Sequence, residues 1–288
     1  MAAHKKPLII HFSLALVALM LAGPGAQARP QRIVSIIPSV TEMLFAMGAG
    51  PRVVGVGTFD RYPPEALTRT KVGGLIDPDM ERIISLKPDL VAVYETQTDL
   101  RTQMNRAKIP VFLYRHSGLS DITSTIRELG ARIGSVKEGS DLAGRIDAEI
   151  ADVRKRIAGR PRPRTLLVFG RDAETLRGIY ASGGIGFLHD MLEAAGGVNV
   201  FTDVKRQSIQ TTSELAIARA PDVIVEIGAD TSSSSGRNLR AWDAVGAIPA
   251  VRNKRIYLLR GDGMMNPGPR ISQSVRRMAE VLHPGAIK

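Results

Sequence analysis

From residue 32 onward, short apolar runs alternate with amphipathic stretches. RIVSII (32–37), RVVGVG (52–57), DLVAVY (89–94) and VFLYR (111–115) read as strands, each a brief apolar run rich in β-branched residues. Helical patterns lie between them. PSVTEMLFAMGAG (38–50) has Ser39 followed three residues later by Glu42, the spacing of a capping box, and it stops at Gly48. A further helix carries Glu81. Asp77 or Asp79 caps it, with Pro78 in its first turn, and Pro88 ends it near Lys87. Strand and helix in alternation predict an α/β lobe with a mainly parallel sheet.

Between residues 137 and 159 the period changes. Leu142, Ile146, Ile150, Val153 and Ile157 fall on one helical stripe. At a rise of roughly 1.5 Å per residue, such a helix spans about 35 Å. GRPRPR ends it, and the first pattern resumes with the strand TLLVFG, the helix GFLHDMLEAAGG, the unit SELAIARAPDVIVEI, and a closing strand and helix. The halves echo each other in detail. Met43-Leu44-x-Ala46-x-Gly48 returns as Met191-Leu192-x-Ala194-x-Gly196. Glu81 stands seven residues before Pro88-Asp89, and Glu214 seven before Pro221-Asp222. The wider spacing in the first half places an insertion within residues 59–74. The expected fold is α/β: two α/β lobes joined by one long helix, with a ligand cleft between them. The expected boundaries are a leader at 1–28, an N-terminal lobe at 29–136, the linking helix at 137–160 and a C-terminal lobe at 161–288.

The leader has its own signature. Lys5 and Lys6 precede an apolar run over residues 7–23, and Ala26-Gln27-Ala28 has the small-x-small form of a signal peptidase site. Cleavage near Ala28 would release a soluble periplasmic protein. The chain has no cysteine, so no disulfide, thiolate metal site or cysteine for a lipid anchor is expected. The formal charge is +11, which raises nucleic acid as a partner. Export and the lack of basic residues interleaved with aromatics argue against it. The densest basic run, residues 154–164, reads as a solvated helix end and linker.

Candidate chemistry is sparse. No Gly-x-Ser-x-Gly elbow or Walker loop occurs. SGGIGF resembles only half of a dinucleotide fingerprint. Beyond the leader the histidines are His116, His189 and His283, without paired spacing, so no metal site of the protein's own is expected. In doubly wound sheets, ligands lie outside the carboxyl ends of the strands. Three segments should fall there: IPSVTE, ASGGIGF with Ser182, Gly183 and Gly184, and GDGMMNPGPR with Asp262, Gly263, Met264, Met265 and Asn266. Arg61, Arg115, Arg171 and Arg260 lie near predicted strand ends and would suit an anionic ligand. The competing class is an exported enzyme with a cleft active site, which would need a nucleophile beside an oriented base.

The leader, the two lobes, the single linking helix and E-x-I-x-x-L-x-P-D-L-V at residues 81–91 resemble the helical-backbone substrate-binding proteins of ABC importers. That family serves cobalamin, ferric siderophores and haem. VGVGTFDRYPPEA, FLHDMLEAAGGVNVF and PGPRI look most like its cobalamin-binding branch. The resemblance implies a monomeric receptor without catalysis or a cofactor of its own. It implies a corrinoid ligand, or else haem or a ferric siderophore, so the ligand itself carries cobalt or iron. The partner implied is an ABC permease dimer with its ATPase subunits. By the same resemblance Phe59 contacts the ligand ring with Tyr62 close by, residues 262–266 touch the ligand's side chains, Trp242 is a buried structural residue, and Glu81 and Glu214 dock the permease, one per lobe. Local roles compete with these: Glu214 can complete a capping box with Thr211, Glu81 can complement a helix dipole, and the two aromatics can pack within their loop. The sequence also departs from the pattern. Gly263-Met264-Met265-Asn266 stands where an aromatic and an arginine are expected, and Leu75 where a tryptophan is expected.

Overall fold

The computed structural model describes residues 29–115, 117–228 and 238–287. The leader at 1–28 and His116 lie outside them. The first lobe comprises β1 (Ile33–Ser35), α1 (Pro38–Ala46), β2 (Val53–Val56), β3 (Thr70–Lys71), α2 (Met80–Ser85), β4 (Leu90–Tyr94), α3 (Thr98–Arg106), β5 (Val111–Tyr114) and α4 (Leu119–Arg132). Its sheet is parallel throughout, in the order β3-β2-β1-β4-β5. A parallel sheet is covered on both faces, so Leu90, Val91, Ala92 and Val93 are buried at consecutive positions.

The linking helix is α5 (Val136–Arg156). Leu142, Ile146, Ile150 and Val153 are buried along it, and Ile157 at its C-cap is buried too. The second lobe follows with β6 (Arg164–Gly170), β7 (Ile179–Ser182), α6 (Phe187–Ala194), β8 (Val198–Asn199), β9 (Ser208–Thr211), α7 (Ser213–Arg219), β10 (Val223–Gly228), α8 (Pro249–Arg252), β11 (Ile256–Arg260) and α9 (Ile271–Leu282).

The second sheet runs β11-β10-β6-β7-β9, with β8 beside the start of β6. It repeats the first lobe only in part. β8, β10 and β11 run parallel as expected, whereas β7 is antiparallel to both β6 and β9. β8 takes the place of β2: each follows a helix that turns at a glycine of positive φ, 74° at Gly48 and 84° at Gly196. The Met-Leu pairs before those glycines, Met43-Leu44 and Met191-Leu192, are fully buried. The β7–β9 pair is an addition to the second lobe, just as the short helical turn Pro64–Thr68 and β3 lie within the segment expected to be inserted in the first.

The helix starts depart from expectation in three places, although Asp79 is one of the two caps expected for α2. Ile37 occupies the N-cap of α1 without a side-chain cap, so Ser39 and Glu42 form no capping box. Asp79 caps α2, accepting from the Arg82 N–H at 2.9 Å, so Pro78 lies before the helix rather than in its first turn. Thr212, not Thr211, caps α7, accepting from the Leu215 N–H at 3.3 Å.

The repeated Pro-Asp pair has a structural cause. Asp89 accepts from the N–H groups of Gln31 (2.7 Å) and Arg32 (2.8 Å), and Asp222 accepts from the N–H of Arg164 (3.0 Å). The arginines answer by donating to the last carbonyls of α2 and α7: Arg32 to Leu86 and Arg164 to Arg219. Each unit therefore ties the end of its helix to the start of the central strand. The chain reaches each proline through a left-handed residue, Lys87 at φ 48° and Ala220 at φ 46°. Left-handed backbone costs an L-residue roughly 1–2 kcal/mol, and glycine loses about 0.5–1 kcal/mol more entropy on folding. Ala220→Gly should therefore stabilise the protein by about 0.5–1 kcal/mol, read as a raised midpoint in thermal unfolding. A lowered midpoint would mean that the Ala220 side chain contributes packing that outweighs the strain.

Candidate functional site

The carboxyl ends of the first sheet meet the loop that leaves the second. Tyr114, at the end of β5, donates its hydroxyl to the Pro267 carbonyl at 3.4 Å. Gly268 lies against Ser39 at the start of α1, where an added Cβ would come within 3.5 Å of the Ser39 Cα. Between the helices, the Leu119 N–H at the start of α4 donates to Asp190 of α6 at 2.9 Å. The expected cleft position between the lobes thus has its walls in contact at one side.

Tyr62 and residues 262–266 are brought together there through Glu42 and Arg270, which lie on two segments expected at the site but were not themselves singled out as site residues. The Glu42 carboxylate, only 5% exposed, accepts from Arg270 through Nε at 2.9 Å and its terminal nitrogen at 2.6 Å, and from Asn266 Nδ2 at 2.7 Å. The Arg270 guanidinium sits over the Tyr62 ring, 4.0 Å from its centroid, the geometry of a cation–π contact. A groove of about 510 Å³ opens beside them, lined by Glu42, Phe45, Tyr62, Arg69, Arg270 and Gln273 among others. PGPRI was the available signal for Arg270. Glu42 was hidden because its local spacing fits a cap.

Phe59 and Tyr62 stand on the loop after β2 and are 65% and 44% exposed. Phe59 lies over Gly74, its ring edge 3.4 Å from where a Cβ on Gly74 would stand. The loop is fixed from beneath: Thr58 N–H donates to the Gly73 carbonyl at 2.8 Å, and Lys71 Nζ to that of Asp60 at 2.8 Å. Two large aromatics held open to solvent by an ordered loop suit a flat apolar ligand face.

Other expected site residues are covered to different degrees. Ser182, Gly183 and Gly184 are buried. Asn199 donates to the Gly183 carbonyl at 2.8 Å, Gly184 N–H to that of Val204 at 2.7 Å, and a Cβ at Gly183 would stand 2.0 Å from the Arg206 carbonyl oxygen. These glycines let two stretches of backbone touch; Ile185 takes the exposed position beside them. Met264 is also corrected: it is 1% exposed and part of the core, whereas its neighbour Met265 is 41% exposed. Asp262 and Gly263 are half-buried.

The family profile of periplasmic binding proteins matches residues 33–262. The chain belongs to that family. It is 30% identical to an ABC transporter substrate-binding lipoprotein of Bacillus subtilis (strain 168), over 90% of this chain and 82% of that one. It is 29% identical to the vitamin B12-binding protein of Salmonella typhimurium, over 93% and 96%. Among solved structures, the periplasmic heme-binding protein RhuT from Roseiflexus sp. RS-1 superposes with a TM-score of 0.75 at 27% identity, covering 89% of this chain and 99% of that one. The family is one of substrate binding and transport, so the reading as an exported enzyme falls.

In this binding protein the arginine supply at the strand ends is smaller than expected. The Arg171 side chain is fully buried against Glu226 at 2.7 Å, and Trp242, itself buried, donates Nε1 to the same carboxylate at 2.6 Å. Arg171 is structural, while Arg115 and Arg260 are exposed. Among the described residues no three His, Asp or Glu side chains converge as metal ligands.

Asp60, between the two exposed aromatics, is 1% exposed, and neither of its carboxylate oxygens has a hydrogen-bond partner among the described residues. Burial pushes its carboxyl up to about 6, partly opposed by the Thr41 hydroxyl and the Lys71 ammonium. The folded chain therefore binds this proton more tightly than the unfolded chain does. Stability from this group is greatest at about pH 4 or below and falls as pH rises toward about 6 and beyond. Asp60→Asn should stabilise the protein at about pH 8, by on the order of 3 kcal/mol and read as a raised thermal midpoint, and change it little at about pH 4. Equal effects at both would show that the carboxyl is not the cause.

Proposed function

We propose that this protein is an extracytoplasmic solute receptor that binds a corrinoid, a cobalamin-like metal chelate, between its lobes and delivers it to an ABC importer. The observation that carries the reading is the pair Phe59 and Tyr62, held open on a fixed loop beside the cleft, with Met265 exposed on the opposing segment. The vitamin B12-binding relative supports it at 29% identity. The ligand brings its own cobalt, so no protein metal ligand is called for. Asp262, Gly263, Met265 and Asn266 would meet the ligand's polar substituents. A second reading, haem, is favoured by the exposed Tyr62 phenol, a group able to ligate iron, and by the heme-binding neighbour.

Glu81 and Glu214 would dock the two permease subunits. Each is exposed at the second position of a capped helix in equivalent places of the two lobes. The Thr212 hydroxyl, the backbone and the Ser213 hydroxyl hold the Glu214 carboxyl below the usual carboxylate range, so it stays charged at neutral pH. No hydrogen bond or ion pair to another described residue occupies the Glu81 carboxylate.

Titration with cyanocobalamin, haemin and a ferric siderophore, followed by visible spectra, tests the ligand. Cyanocobalamin should bind at about micromolar or tighter, near −8 kcal/mol; binding of none of the three below millimolar removes the receptor reading of this cleft. Docking is tested in a reconstituted importer. Glu81→Gln and Glu214→Gln each remove the charge without truncating the side chain. Together they should cut uptake by about tenfold or more while leaving chelate affinity unchanged. Normal uptake by the double variant would leave the repeated glutamates as features of a duplicated helix start.

A further inference from the structure

We propose that Glu42 is a positioning residue that fastens a strap of the second lobe's chain onto the first lobe and thereby sets the ligand site. The inference rests on the cleft being the ligand site.

The strap is the second half of the segment between β11 and α9. The first half belongs to its own lobe: Gly261 N–H donates to the Gly228 carbonyl at 3.0 Å, and Ser274 donates to that of Gly263 at 3.0 Å. Met264 is packed in the core. From Asn266 onward the partners change lobes. Asn266 and Arg270 donate to Glu42, Pro267 accepts from Tyr114, and Gly268 rests on Ser39. The seam falls at Met265, the one exposed side chain of residues 262–268. Gly261, at φ 139°, and the rigid Pro267 and Pro269 frame the crossing.

Three donor nitrogens converge on one carboxylate that is 5% exposed. A buried acceptor of this kind has no substitute in water. Its removal frees Asn266 and Arg270 together, and with Arg270 goes the platform under Tyr62. Glu42 itself need not touch the ligand. It holds the aromatic wall on one side and the Met265 segment on the other in a single mutual geometry, although the sequence separation from Arg270 is 228 residues.

The chain has five tyrosines, so 3-fluorotyrosine labelling resolves Tyr62, assigned through Tyr62→Phe. In Glu42→Ala the fluorine resonance of Tyr62 should shift, and the amides of Asn266, Gly268 and Arg270 should exchange about tenfold faster, while those of β6 and β10 are unchanged. Cyanocobalamin affinity should fall about tenfold or more. Glu42→Gln, which keeps one acceptor oxygen, should lie between. If Glu42→Ala does not fold, Arg270→Lys, which keeps the charge and loses the planar fork, should move the same resonance and amides. An unshifted Tyr62 resonance, or exchange rising equally through both sheets, overturns the proposal. If the wild type binds no cyanocobalamin, the corrinoid reading fails, and the fluorine and exchange readouts still decide the strap.

Discussion

One apolar core runs through both lobes, and the cleft depends on it. Ile146, Ile150 and Val153 of α5 belong to the same buried cluster as Ile126 and Leu129 of α4, Met191 of α6, and Val275 and Met278 of α9. Polar contacts bracket that layer, Arg127 to Asp147 at 2.7 Å and Ser272 to Glu149 at 2.5 Å. Each large apolar side chain buried there is worth roughly 1.5–3 kcal/mol. Opening the lobes widely would expose many of them at once. The linking helix is therefore a wall of the core rather than a tether, and groups from the two lobes can be held to within hydrogen-bond distance across the cleft.

The internal repeat divides into two physical parts. The Pro-Asp pair and the left-handed residue before it serve the fold, because they fasten a helix end to a central strand in each lobe. The glutamate seven residues earlier takes no part in that fastening, although Glu214 also accepts from the Ser213 hydroxyl beside it. Asp79 and Thr212 already cap the two helices. A duplicated unit can thus carry a structural element and a surface charge at fixed separation, and the charge inherits the approximate two-fold relation of the lobes.

Most of the fold was legible because its signals are local. The stripe from Leu142 to Ile157 needs only a period, and β1, β4, β6 and β10 need only a short apolar run between turn signals. The direction of β7 was not legible, since parallel or antiparallel pairing is decided by the partner strand. At the site, the loop with Phe59 and Tyr62 emerged through resemblance, and the structure holds both rings exposed. Three errors share one origin. Glu42 satisfies a capping rule on paper, but Arg270 and Asn266 outbid the helix start. Gly183 and Gly184 fit a ligand-approach rule, but the neighbouring backbone fills the space a side chain would need. Met264 and Met265 are adjacent and chemically alike, and only the turn of the chain decides which one faces inward. In each case a contact distant in sequence overrides a rule that looks only nearby.

Electrostatics makes the same point for the ligand. A formal charge of +11 suggests a site suited to anions. Yet two arginines, Arg171 just after β6 and Arg270 at the start of α9, are already committed to carboxylates, Arg171 to Glu226 and Arg270 to Glu42. Turning Arg171 toward a ligand would break a fully buried ion pair, at a cost of about 3–5 kcal/mol. Haem presents two propionates that want cations, whereas a corrinoid ring presents mainly neutral amides, which are met by backbone groups and by side chains such as Asn266. The exposed face of Phe59 and Tyr62 would suit either ring. The difference would lie in the cations left over, and the pairing of Arg171 and Arg270 leaves two fewer of them for an anionic ligand. The charge that matters to recognition is the charge left unpaired at the cleft, and that is set by the partner each arginine finds in the fold.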